Sequence, residues 1–112
     1  MPQAEDARLR GRTYAIPFDR VWTQALALAA GKLRGWSVVS ADDVEGEIRA
    51  ETRGLLGGAS DVVIRIGLDR DAQTRVDVTS ASRNGRVDFG ANARRIVRLL
   101  RALDRALAPT RR

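Results

Sequence analysis

The chain has 112 residues, a net charge of +6, 44% hydrophobic and 30% charged residues, and neither cysteine nor histidine. A chain of this length has room for one hydrophobic core and not for two ordinary domains. Its composition excludes a thiolate nucleophile, an imidazole general base, a serine–histidine–aspartate relay and the usual zinc ligand sets.

The charge is lopsided: residues 1–54 sum to zero, residues 55–112 carry the whole excess, and Lys32 is the only lysine among 20 basic residues. Arginine suits phosphates and carboxylates because its planar fork binds two oxygens at once. The alternative needs no ligand, since a genome rich in G and C produces the same arginine usage. No stretch reaches the roughly 20 apolar residues that span a bilayer, and residues 1–12 are polar with both charge signs, unlike a secretory signal. The expectation is a cytoplasmic protein, with a peripheral place on a membrane as the other reading.

In chain order, residues 1–11 read as a flexible leader, 12–108 as a single α+β domain and 109–112 as a basic tail. Thr13, Tyr14, Ala15 and Ile16 make a short strand that Pro17 ends. A helix follows to about Arg34, with Asp19 expected to cap it and Gly35 to stop it. At 100° per residue Phe18, Trp22, Ala25, Ala29 and Leu33 share a face, with Val21, Leu26 and Leu28 on its shoulders.

Four strands are predicted next, separated by turns at Asp42-Asp43, at 54–60 and at 69–72. Ile48 and Ala50 oppose Glu47, Arg49 and Glu51. Val62, Ile64, Ile66 and Leu68 oppose Val63 and Arg65, and Val76 and Val78 oppose Arg75, Asp77 and Thr79. Strands that bury one side each belong to an antiparallel sheet with helices on a single face. The expected architecture is therefore a two-layer α+β domain, about five antiparallel strands with two helices, in the order β-α-β-β-β-β-α.

The last helix is expected to start after Asp88, as N-cap, and to reach about Ala108. Phe89, Ala93, Ile96, Leu100, Leu103 and Leu107 form its apolar seam, and Arg94, Arg98, Arg101 and Arg105 a basic stripe on the opposite side. Such a stripe can follow phosphates on nucleic acid or on an anionic membrane, or it can be the solvated back of an amphipathic helix. Aromatic residues are only 4% of the chain, which speaks against base stacking and sequence-specific RNA reading.

Residues 80–96 carry the most distinctive motif: a strand end, a glycine turn and a helix start. Ser80, Ser82, Arg83, Asp88, Asn92 and Arg95 are the candidate ligand-binding residues, because hydroxyls, guanidinium groups and the free N–H groups of a helix start together suit an anion. The competing account is a structural clasp, in which Asp88 caps the helix, Arg83 or Arg95 pairs with Asp88 or Asp61, and Asn92 ties the loop. Leu55 and Leu56, between glycines, are a second candidate: they either meet an apolar partner or plug the open end of the core.

The runs 61–66 and 74–83, followed by Gly85, Asp88, Gly90, Asn92 and Arg95-Ile96, resemble the signature of the bacterial and plastid family catalogued as domain of unknown function 1499. Val21-Trp22 at a helix start and Gly35-Trp36 before a strand are similar to that family too, so the resemblance covers about residues 13–106. It implies no catalytic residue, cofactor or substrate. Some relatives carry membrane-spanning or export segments, which implies a link to the cell envelope that this chain, lacking them, does not itself display.

No catalytic residue is expected. Ser80 has no activating base in sequence reach, and the carboxylates Asp61, Asp77 and Asp88 are scattered singly, so neither a metal nor a cofactor is predicted. The function read from the sequence is a non-catalytic domain binding a protein partner or a small anionic ligand near residues 80–96. The alternative is electrostatic binding to nucleic acid or anionic membrane through the C-terminal arginine-rich helix.

Overall fold

The structure, a computed structural model, describes residues 11–54, 58–83 and 89–108. Its elements are β1 (Arg12–Tyr14), α1 (Phe18–Ala27), β2 (Trp36–Asp42), β3 (Glu47–Arg53), β4 (Ala59–Leu68), β5 (Thr74–Ser82) and α2 (Phe89–Leu107). The strands form one antiparallel sheet in the order β1-β5-β4-β3-β2, so β2 to β5 are a meander and β1 closes its far edge. This is the α+β order expected from the alternation. Both helices lie on the face that carries Ile48, Ala50, Val62, Ile64, Ile66, Val76 and Val78, and one continuous core joins these residues to Val21, Ala25, Ile96, Leu99, Leu100 and Leu103.

Several local expectations are corrected. Asp19 does not cap α1: Pro17 occupies the N-cap position, no side chain bonds there, and Asp19 lies in the first turn, where its charge favours the positive end of the helix dipole. The helix also stops earlier. Its last turn widens into a π turn over Leu28–Lys32, closed by Leu33 N–H donating to the Leu28 carbonyl at 3.1 Å. Gly31 takes φ 127° there, so Gly31 breaks the helix before Gly35 is reached. The buried line on α1 runs through Val21, Ala25, Leu28 and Ala29, while Phe18 and Trp22 stack at its margin with ring centroids 5.8 Å apart.

Leu68, expected in the core row of β4, is 63% exposed at the last residue of that strand. At the other edge, β2 carries a bulge between Val38 and Ser40, which leaves Val39 outside the core. The turn into β3 is set by Gly46, whose φ is +74° and whose Cβ, if present, would lie 2.1 Å from the Ile66 carbonyl oxygen. The seam of α2 is as expected from Ala93 to Leu107, with Leu99 and Ala102 also buried. The Asp88 cap, the Gly85 turn, the Leu55-Leu56 pair and the tail 109–112 lie outside the described residues, as does the leader up to residue 10 and the side chain of Phe89.

Candidate anion-binding site

The two faces of the sheet handle charge differently. On the outer face every carboxylate of β3 to β5 has an arginine: Glu47 meets Arg49 and Arg65, each at 3.3 Å, and Asp77 meets Arg75 at 3.0 Å. Arg83 bridges Asp61 and Glu51, the latter at 2.8 Å. Its hydrogen bond holds the Asp61 carboxyl below the usual carboxylate range, and the same two bonds push Arg83 further above its ordinary value. The Arg83–Asp61 pair is one of those the clasp account allowed. It places Arg83 away from α2, satisfied by two carboxylates.

On the helix side, Ser80, Asn92 and Arg95 come together as a triad. The Ser80 hydroxyl donates to Asn92 Oδ1 at 2.9 Å, and Arg95 Nη1 donates to Asn92 Oδ1 at 2.6 Å and to Ser80 Oγ at 3.0 Å. Asn92 and Arg95 sit three residues apart on one side of α2, and Ser80 faces them because it follows Thr74, Val76 and Val78 at strand spacing. Ser82 is half-buried on the same face, paired in register with Ser60. The triad fastens the end of β5 to the start of α2. Asn92→Ala removes the acceptor shared by two donors, and the expected loss of about 1–2 kcal/mol lowers Tm by roughly 5–10 °C, read by thermal denaturation. A Tm within a degree of wild type would show that the triad is not a structural clasp.

A second fastening was not foreseen. Asp104, the one acid of α2, accepts from the Tyr14 hydroxyl at 2.6 Å and from Arg12 Nε at 3.3 Å, tying β1 to the end of α2. Burial, then the bond to Asp104 and its charge, raise the Tyr14 phenol well above its ordinary value of 10.0. The unfolded phenol therefore ionises first, so this contribution to stability is complete below pH 10 and declines as pH rises beyond it. Tyr14 is the only tyrosine and Lys32 the only lysine, so few other side chains titrate there. Tyr14→Phe is expected to flatten the fall of the urea midpoint between pH 9 and 11; an unchanged slope would contradict it.

Beside the triad lies the feature that sequence reasoning missed as a unit. An open cleft of about 290 Å³ runs between the N-terminal half of α2 and the end of the β2–β3 hairpin, and Arg34, Arg53, Arg94, Arg95 and Arg98 line it with Trp36 and Thr52. The hairpin creates the juxtaposition: Trp36 pairs with Thr52, and Arg53 N–H donates to the Gly35 carbonyl at 2.9 Å, so the residues just outside that rung meet. Among the described residues, Arg34, Arg53, Arg94 and Arg98 pair with no carboxylate, and no carboxylate lines the cleft. Arg94, Arg98, Arg101 and Arg105 are all exposed, and with Val97 they line a second groove along α2 that shares Arg94 and Arg98 with the cleft. Gly54 and Ala91 complete the rim.

Thr52 and Ser60 occupy successive strands in one rung on the helix side, 6% and 4% exposed. Here the core changes from aliphatic side chains to hydroxyls, under the start of α2. Among the described residues neither hydroxyl has a hydrogen-bond partner, and no buried side-chain polar atom is fully sealed from solvent without one, so both reach an accessible surface. No three carboxylates converge among the described residues to hold a metal ion.

The fold and this cleft define a two-layer α+β domain with a concentrated cationic recess at one end. The family model described as "Protein of unknown function (DUF1499)" matches residues 2–103, and the chain belongs to that family. No curated protein and no solved structure matches it. Among the described residues, no helix is long and apolar enough to cross a membrane.

Proposed function

We propose that this domain is a non-catalytic binding module that holds a small anionic ligand in the cleft between α2 and the β2–β3 hairpin. The observation that carries this reading is five arginines around one recess with no carboxylate among its described lining residues. Gathering like charges costs stability, and on the outer face of the same sheet the carboxylates are each matched to arginines. The site overlaps the expected motif through Arg95, next to the Ser80–Asn92–Arg95 triad, and is completed by Arg34, Thr52 and Arg53 from outside it. Ser82 and, outside the described residues, Asp88 and the Leu55-Leu56 pair stay candidate contributors; the cytoplasm or an anionic membrane surface is where we place the module.

Trp36 lines the cleft and Trp22 does not, so a Trp22→Phe protein reports binding through Trp36 emission. Titration with inorganic diphosphate is expected to change that emission saturably, with affinity falling only severalfold between 50 and 200 mM salt. No change up to millimolar diphosphate would refute the reading.

The exposed stripe Arg94, Arg98, Arg101 and Arg105 favours a second reading, binding to the phosphates of nucleic acid or anionic lipid. It spans roughly 16 Å along the helix. Four phosphate contacts would weaken binding to duplex DNA about a hundredfold over the same salt range, which separates the two readings.

A further inference from the structure

We infer that the cleft selects a phosphomonoester in its dianionic form, with the Thr52 hydroxyl at its floor donating to a phosphoryl oxygen and the arginines closing around the others. The inference rests on the anion-binding reading above and names the ligand class that reading leaves open.

Charge is the first argument. A carboxylate or a phosphodiester brings one negative charge, whereas a phosphomonoester near neutral pH brings close to two and three terminal oxygens. Four arginines of the cleft have no carboxylate partner among the described residues, and each guanidinium fork can take two oxygens. The donors therefore far outnumber what a single carboxylate can accept.

Thr52 is the second and independent argument. It is 6% exposed, it lines the cleft, and among the described residues its hydroxyl has no partner. Its oxygen still reaches the accessible surface of the cleft, so the hydroxyl is presented to a ligand and not sealed in the core, at a strand position where valine would pack equally well. A ligand oxygen above Thr52 would accept from it. At about 290 Å³ the recess is at the small end of ligand sites, which suits a phosphoryl group on a short organic body packed against Trp36.

The protein's own charge makes the idea testable by pH. The chain has no histidine or cysteine, and among the described residues the titratable groups lining the cleft are arginines from the segment before β2, from β3 and from α2. Guanidinium groups do not lose a proton between pH 5 and 7.5, so a change in affinity over that range reports the ligand's second ionisation.

The experiment uses the full chain carrying Trp22→Phe, with glycerol 3-phosphate and dimethyl phosphate as soluble probes. Glycerol 3-phosphate is expected to bind about tenfold more tightly at pH 7.5 than at pH 5, as its dianion fraction rises through a second pKa near 6. Dimethyl phosphate is expected to bind more weakly and without pH dependence. Adding Thr52→Val should weaken glycerol 3-phosphate severalfold while leaving Tm unchanged or higher. Phosphatidylcholine vesicles containing one part in five phosphatidic acid separate the sources of the same chemistry. Co-sedimentation competed by glycerol 3-phosphate identifies a lipid headgroup, and soluble binding without co-sedimentation a free phosphorylated molecule. Equal, pH-independent affinity for monoester and diester would overturn the inference and leave the anion-binding reading standing. Silence of Trp36 towards both probes and towards diphosphate would overturn both.

Discussion

Replacing Arg34, Arg53 and Arg98 together with glutamine is expected to abolish measurable anion binding while leaving the domain at least as stable as the wild type. The three residues come from the segment before β2, from the end of β3 and from α2, so the triple change removes charge from every wall of the cleft. All three are exposed, so solvent screening discounts each charge-assisted contact to roughly 1 kcal/mol, and their combined loss is about a hundredfold in affinity. Stability should move the other way. None of the three has a carboxylate partner among the described residues, so the substitutions relieve repulsion and break no ion pair. Tm by calorimetry should be unchanged or up by a few degrees; a fall of more than about 5 °C would mark the arginines as structural. Retained diphosphate affinity would remove the cleft as the site.

Leu103→Ala is expected to have the largest effect on folding. Leu103 is fully buried on α2 within the single core, and its truncation opens a cavity where helix and sheet meet. Deletions of this kind cost about 3–5 kcal/mol, which for a domain near 100 residues lowers Tm by well over 10 °C. Leu68→Ala is the internal control. Periodicity puts Leu68 in the same row as Ile64 and Ile66, but at 63% exposure its truncation should cost within about 0.5 kcal/mol. Equal losses at the two positions would contradict the packing described above.

Those two leucines show where pattern stops being informative. Alternation tells which side of a strand a residue faces, and it did so correctly for Ile48, Ala50, Val62, Ile64, Ile66, Val76 and Val78. It does not tell how far along a strand the buried row continues, and Leu68 lies at the strand's last residue, outside the core. The same limit applies to α1, where helical spacing groups Phe18 and Trp22 with Ala25 but the contact line passes through Val21. A face about 100° wide can be rotated by one residue without losing its apolar character.

The candidate site was legible in parts. Ser80, Asn92 and Arg95 stood out from their types and their place at a strand-to-helix junction, and the fold brings all three within hydrogen-bond distance. Arg83 stood out equally, but strand alternation carries it to the outer face, where it meets Asp61 and Glu51. Arg34 and Arg53 gave no local signal, since one lies in the segment before β2 and the other ends β3, both as ordinary surface arginines. Counting hairpin register outward from the turn at Asp42 would have approached them, although the bulge at Val39 shifts that count by one. Asp104 was a lone acid in a basic helix, and only the pairing of β1 with β5 shows that Tyr14 and Arg12 reach it.

Sequence alone therefore determined the element order, the one-sided burial of the strands, the apolar seam of α2 and the excess of arginine in the second half of the chain. These depend on periodicity and composition, which act over a few residues at a time. Tertiary structure decided which arginines find carboxylates and which gather without them. Ion pairing depends on register across strands and on where a helix lies over the sheet, distances set between residues far apart in the chain. The cleft is a product of that placement: Arg34, Arg53 and Arg98 are separated by tens of residues and meet only because a bulged hairpin end and the first turns of α2 occupy the same corner.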